Sequence, residues 1–141
     1  MEAAAPESSV AHGDMRARYA AVVDTLNVYF DGLYFSDVSR LERVLHPQAH
    51  YVCAVESELI YYRMEEYFPV VKQRPSPASR CEVRKDKIIA IEFAGPVTAF
   101  ARVECAIGPK TFTDLLTLIF TRGQWWIISK VFHYDLALAS A

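Results

Sequence analysis

Apolar side chains recur at intervals of three and four along the first third of the chain: Tyr19, Val22, Val23, Leu26, Tyr29, Phe30 and Leu33. That spacing predicts an amphipathic helix of about five turns over residues 14–35, with Asp14 as its N-cap. Ser39 is expected to open a second helix, with Glu42 completing a capping box and Pro47 forcing a stop. Residues 51–55 and 59–61 are β-branched and aromatic around the polar Glu56-Ser57-Glu58, which predicts a short hairpin. Residues 62–74 predict a third helix, bent or ended near Pro69, followed by a loop at Pro75-Ser76-Pro77.

From Cys81 onward the pattern turns to strands at 82–93, 97–107, 111–121 and 124–134, broken by Ala94-Gly95-Pro96, Gly108-Pro109 and Arg122-Gly123. Connections this short demand antiparallel neighbours. Helices first and a four-stranded meander last is an α+β order. One domain over residues 14–136 is expected, with disordered tails at 1–13 and 137–141. If Arg122-Gly123 is a two-residue turn, Thr121 faces Gln124 and an unbroken alternation follows. Asp114, Leu116, Leu118 and Phe120 then share a face with Trp125, Ile127, Ser129, Val131 and His133. The other face carries Trp126, Ile128, Lys130 and Phe132 among threonines. It is too apolar for open water, which predicts a homodimer through Trp126, Ile128 and Phe132.

Composition narrows the classes. The 141 residues are 52% hydrophobic and 23% charged, with a net charge of −2. That range is ordinary for a globular domain, and it gives no electrostatic reason to expect nucleic acid or an anionic membrane as partner. No apolar run reaches the roughly 18 residues of a membrane span. Cys53, Cys81 and Cys105 form neither a CxxC motif nor a paired framework. Reduced thiols in a cytoplasmic compartment are the expectation. His46 and His50 stand four apart, but Pro47 breaks the helix that a zinc pair at that spacing needs. No metal site and no cofactor are expected.

The segments YFDGLYFSD, LERVLHPQAHYV, ELIYYRMEEYF, RPSPASR, FTDLLTL and GQWWIISKVFH, in this order, resemble the nuclear transport factor 2-like superfamily over about residues 15–135. Within it the chain is similar to the SnoaL-like and putative lumazine-binding branch. The resemblance implies a cone-shaped α+β barrel: three N-terminal helices packed on a strongly curved antiparallel sheet. Set beside the steroid isomerases of that superfamily, Tyr29 falls at the helix tyrosine that donates to an oxyanion. The position of the base falls on Cys53. The strand acid falls on or near Leu116, with Asp114 two residues earlier on the same expected face. The match carries one role of three, so steroid isomerisation by that mechanism is not expected.

The remaining candidates follow from burial and chemistry. A carboxylate on an apolar strand face is expensive unless paired, so Asp114 stands out as a general acid or base, or as a structural hydrogen-bond hub. His133, on the same expected face, is its candidate partner. Tyr29 lies on the buried helix stripe, where a core role and a pocket role are both open. Tyr51, Cys53, Phe68, Leu116 and Trp125 are expected to line a conical pocket. Two functions follow. One is a cofactor-free acid/base enzyme of isomerase, dehydratase or cyclase type. Its substrate would be a small apolar carbonyl or polyketide-like compound, with Tyr29, Asp114 and His133 as the catalytic set. The other is a non-catalytic dimeric module for a small ligand or a protein partner.

Overall fold

A computed structural model describes residues 14–137; residues 1–13 and 138–141, the expected tails save Ala137, lie outside the described residues. Helix α1 (Met15–Tyr34) is capped by the Asp14 carboxylate, which accepts from the Arg16 and Ala17 backbone N–H groups. Its apolar stripe buries Val22, Leu26, Tyr29, Phe30 and Leu33 against the sheet. Helix α2 (Val38–Glu42) is capped by Asp37, not Ser39. The Asp37 carboxylate accepts from the backbone of Ser39 and Arg40, and Ser39 only adds its hydroxyl to the same oxygen.

Between α1 and α2 the chain turns sharply through Ser36 at φ 48°, and the Asp37 N–H closes on the Gly32 carbonyl. Gly32 is required here by close approach: a Cβ at this position would stand 2.5 Å from Cδ2 of the fully buried Leu41. Alanine gains about 1 kcal/mol of helix propensity but overpacks by about 1–3. Gly32→Ala is therefore expected to lower unfolding free energy by about 1 kcal/mol in urea melts. A stabilised variant would mean that Leu41 yields.

The strands are β1 (Leu45–Val55), β2 (Glu58–Arg63), β3 (Lys87–Phe93), β4 (Thr98–Ile107), β5 (Lys110–Thr121) and β6 (Gln124–Leu136). They form one curved, unclosed sheet in the order β2-β1-β6-β5-β4-β3. Helix α3 (Met64–Gln73) follows β2 directly, with Pro69 inside it. The expected hairpins form, but three expectations need correction. β1 starts at Leu45 and runs through Pro47, which is tolerated because the β1–β6 register is broken between Leu45 and His50. The first meander strand begins at Lys87, not at 82. The sheet is mixed, because β1 runs parallel to β6.

A further correction decides the site. Pairing of β5 with β6 starts as expected, Thr121 with Gln124 and Leu118 with Ile127, but then Thr117 pairs with Ser129. Ile128 is an extra residue, a β-bulge. Every residue beyond it changes face. Lys130 and Phe132 turn inward and are buried, while Val131 and His133 turn outward. No helix among the described residues is long and apolar enough to cross a membrane.

Candidate functional site

Three polar side chains meet inside the apolar core. Tyr29 reaches from the buried stripe of α1, and its hydroxyl donates to Asp114 Oδ2 at 2.5 Å. Lys130 Nζ lies 3.9 Å from the same oxygen. Asp114 and Tyr29 are fully buried and Lys130 is 4% exposed. The register explains the convergence. Asp114 pairs with Phe132 and Leu116 with Lys130, so one strand pair presents the acid and the base on one face. Helix α1 lies across that face with its tyrosine one turn beyond Leu26.

An ammonium group in an apolar interior is costly to bury alone. Here five rings surround it: Tyr29, Tyr51, Phe132, Tyr67 and Phe112 have centroids 5.2–6.0 Å from Nζ. Their negative faces favour a cation. Burial pushes against the charge on Lys130, but the Asp114 carboxylate outweighs it and holds the amine above its ordinary range. Tyr29 is also held well above its ordinary value, by burial first and then by Asp114. Its hydroxyl is a proton donor that does not ionise. Burial pushes Tyr51 up to about 12. It takes Cys105 to about 12 as well, with Asp114 adding and Lys130 opposing.

The cluster is not saturated. Asp114 Oδ1 and the Tyr67 hydroxyl are buried without a hydrogen-bond partner among the described residues, as are Nε and Nη2 of Arg74. Buried polar atoms are nearly always satisfied, so these atoms stand out as open hydrogen-bonding positions.

The other sequence candidates are placed as follows. Tyr51 stacks on Tyr67 at 4.5 Å and touches Phe132 at 4.6 Å, within the cage. Leu116 is fully buried opposite Lys130. Cys53 is buried on β1, its thiol pushed up by burial, and lines a cavity of about 280 Å³ with Phe132 and Tyr134. Phe68 sits half-buried beside Tyr67. Trp125 packs on Phe120 and Phe93; five residues before Lys130, it lies about 15 Å away at the strand rise. His133 does not join Asp114: the bulge carries it to the outer face, where it bonds the exposed Asp135 at 2.9 Å. Phe132, expected on the outer face, is in the core. Lys130 is the residue that an unbroken alternation hides. The warning lies in Trp125-Trp126-Ile127-Ile128, an apolar run with no alternation to hold the parity of the residues after it.

The family described as "Putative lumazine-binding" matches residues 17–133. Among curated proteins, "Aldolase FrzH" of Cladobotryum sp. is 26% identical over 119 residues, spanning 83% of this chain and 91% of that protein. A nuclear transport factor 2-like protein of unknown function from Shewanella baltica superposes with a TM-score of 0.79 at 25% identity, covering 88% of this chain and 98% of the other. One from Silicibacter pomeroyi gives 0.76 at 24%, covering 86% and 99%. With the helices, the curved sheet and the residues matched, the chain belongs to the "Putative lumazine-binding" family of the nuclear transport factor 2-like superfamily.

Proposed function

We propose that the chain is a cofactor-free acid/base enzyme that removes a proton beside the carbonyl of a small, largely apolar compound. The observation that carries this reading is the buried Tyr29–Asp114–Lys130 cluster with Asp114 Oδ1 left unbonded. Asp114 Oδ1 is the base. Lys130 supplies a fixed positive charge for the oxygen on which negative charge develops, and the Tyr29 hydroxyl, which donates to Asp114 Oδ2 in the resting site, turns to that oxygen as its neutral donor once Asp114 takes the proton. Lys130 stays protonated beside Asp114 and acts as a charge, not as an amine nucleophile. The likeness to a protein named an aldolase supports enolate chemistry, since aldol reactions begin with this proton transfer.

The test is α-proton exchange of a panel of aryl ketones in heavy water, followed by NMR, with variants confirmed folded by circular dichroism. Asp114→Asn is expected to lower the exchange rate by about 10²–10⁴, and Tyr29→Phe by about 10²–10³. Wild-type exchange at the background rate, or variants that match wild type, would sink the proposal.

A second reading, a non-catalytic dimeric module, is favoured by one observation: none of the four cavities described is lined by Tyr29, Asp114 or Lys130. Either reading is compatible with a homodimer through the outer sheet face. Leu115 and Val131 are 38% and 43% exposed there and line a cavity of about 370 Å³ with Arg102, Thr113 and His133. Half-buried Trp126 extends that apolar surface, its ring edge-on to His46 at 5.3 Å. Trp126→Glu is expected to give monomers in sedimentation; a dimer that persists would remove this face from the interface.

A further inference from the structure

We propose that Arg74 is a carboxylate-binding residue and that the substrate is a monoanionic carboxylic acid docked on its guanidinium. This rests on the reading above that a substrate sits beside Asp114. Arg74 is the C-cap of α3, three residues after Val71 and seven after Tyr67. Tyr67 and Val71 are buried on the inner face of the helix, and half-buried Arg74 follows them at the same spacing. The Tyr67 ring forms one wall of the cage around Lys130.

The unbonded atoms have a specific shape. Nε and Nη2 form the side edge of a guanidinium, two parallel N–H donors that match the two oxygens of a carboxylate. Both are buried and neither has an acceptor among the described residues. Other arginines differ: Arg40 meets Asp37, Arg80 meets Glu82, and Arg84 meets Asp31 and Asp86. Charge points the same way. Asp114 balances Lys130, so Arg74 leaves the site one positive charge in excess. That charge acts on both Tyr51 of β1 and Cys105 of β4, opposing the upward push of burial at each.

The experiment is calorimetric titration with phenylacetate, 3-phenylpropionate and their neutral amides. Wild type is expected to prefer each acid over its amide by at least about tenfold, as for a charge-assisted pair. Arg74→Gln is expected to erase the preference without weakening the amides, and Arg74→Lys to restore part of it, which separates lost charge from lost fold. Equal affinity for acid and amide in wild type, or a preference that survives Arg74→Gln, would overturn the assignment. An Arg74-dependent preference in a protein that exchanges no α-protons keeps this inference and sinks the acid/base function. Exchange without any carboxylate preference does the reverse.

Discussion

Replacing Asp114 with asparagine while Lys130 stays in place is expected to cost about 3–5 kcal/mol of unfolding free energy, because it strands an ammonium inside the core. The side chain is nearly isosteric, so cavity formation contributes little. What is lost is the negative charge 3.9 Å from Nζ, while the amide oxygen can still accept from the Tyr29 hydroxyl. Set against a typical total of about 5–15 kcal/mol, this is enough to threaten the fold. The decisive control adds Lys130→Met. With five aromatic rings around Nζ, a thioether of similar length packs well there, and buried ion pairs are often replaced by apolar groups at little cost. Asp114→Asn/Lys130→Met is therefore expected to recover most of the stability in urea melts. If the double variant is as unstable as the single one, the pair does not function as a unit.

The second large effect is alkaline unfolding. Cys105, Tyr51, Tyr29 and Lys130 all hold their protons more tightly in the folded chain than at their ordinary values of 9.0, 10.0, 10.0 and 10.5. The native state then binds more protons than the unfolded one as pH rises past those values. The stability they contribute is complete below about pH 9 and is lost on the way up through the folded values, about 12 for Cys105 and Tyr51. Each such group removes about 1.4 kcal/mol per pH unit. With all four out of step, above about pH 10.5, the loss is about 5 kcal/mol per unit. Unfolding before pH 12 is expected in urea melts repeated at pH 8, 10, 11 and 12. The Asp114→Asn/Lys130→Met variant is expected to decline less steeply. A wild-type stability that stays flat from pH 9 to 12 would mean that these groups are solvated in the folded state.

Periodicity carried most of the architecture. The α1 stripe, the Glu56-Ser57 turn and the Arg122-Gly123 turn follow from spacing and turn chemistry, and Tyr29 and Asp114 stood out as polar groups on apolar faces. The misreadings have one kind of cause. Two capping groups compete at α2, and the aspartate, which accepts two backbone N–H groups, wins over the serine. At β6 a single inserted residue exchanges the faces of everything after it, so Lys130 read as part of the outer face assigned to a dimer and His133 as a partner for Asp114. A period of two has no memory of where it slipped. Arg74 was unreadable for a different reason: its significance lies in what its nitrogens lack, and unsatisfied atoms have no sequence signature.

The extra residue in β6 also separates shape from pairing. An in-frame deletion of Ile128 would leave Ile127 opposite Leu118, Ser129 opposite Thr117 and Lys130 opposite Leu116, so each cross-strand neighbour is retained. What such a shortened strand loses is the local bend and added twist that a bulge imparts. Ile128 thus behaves as a curvature setting for the sheet, adjustable by genetic insertion or loss of one codon while the roster of interior side chains stays the same. Relatives that differ by one residue at this point would enclose the same groups in a wider or narrower cone.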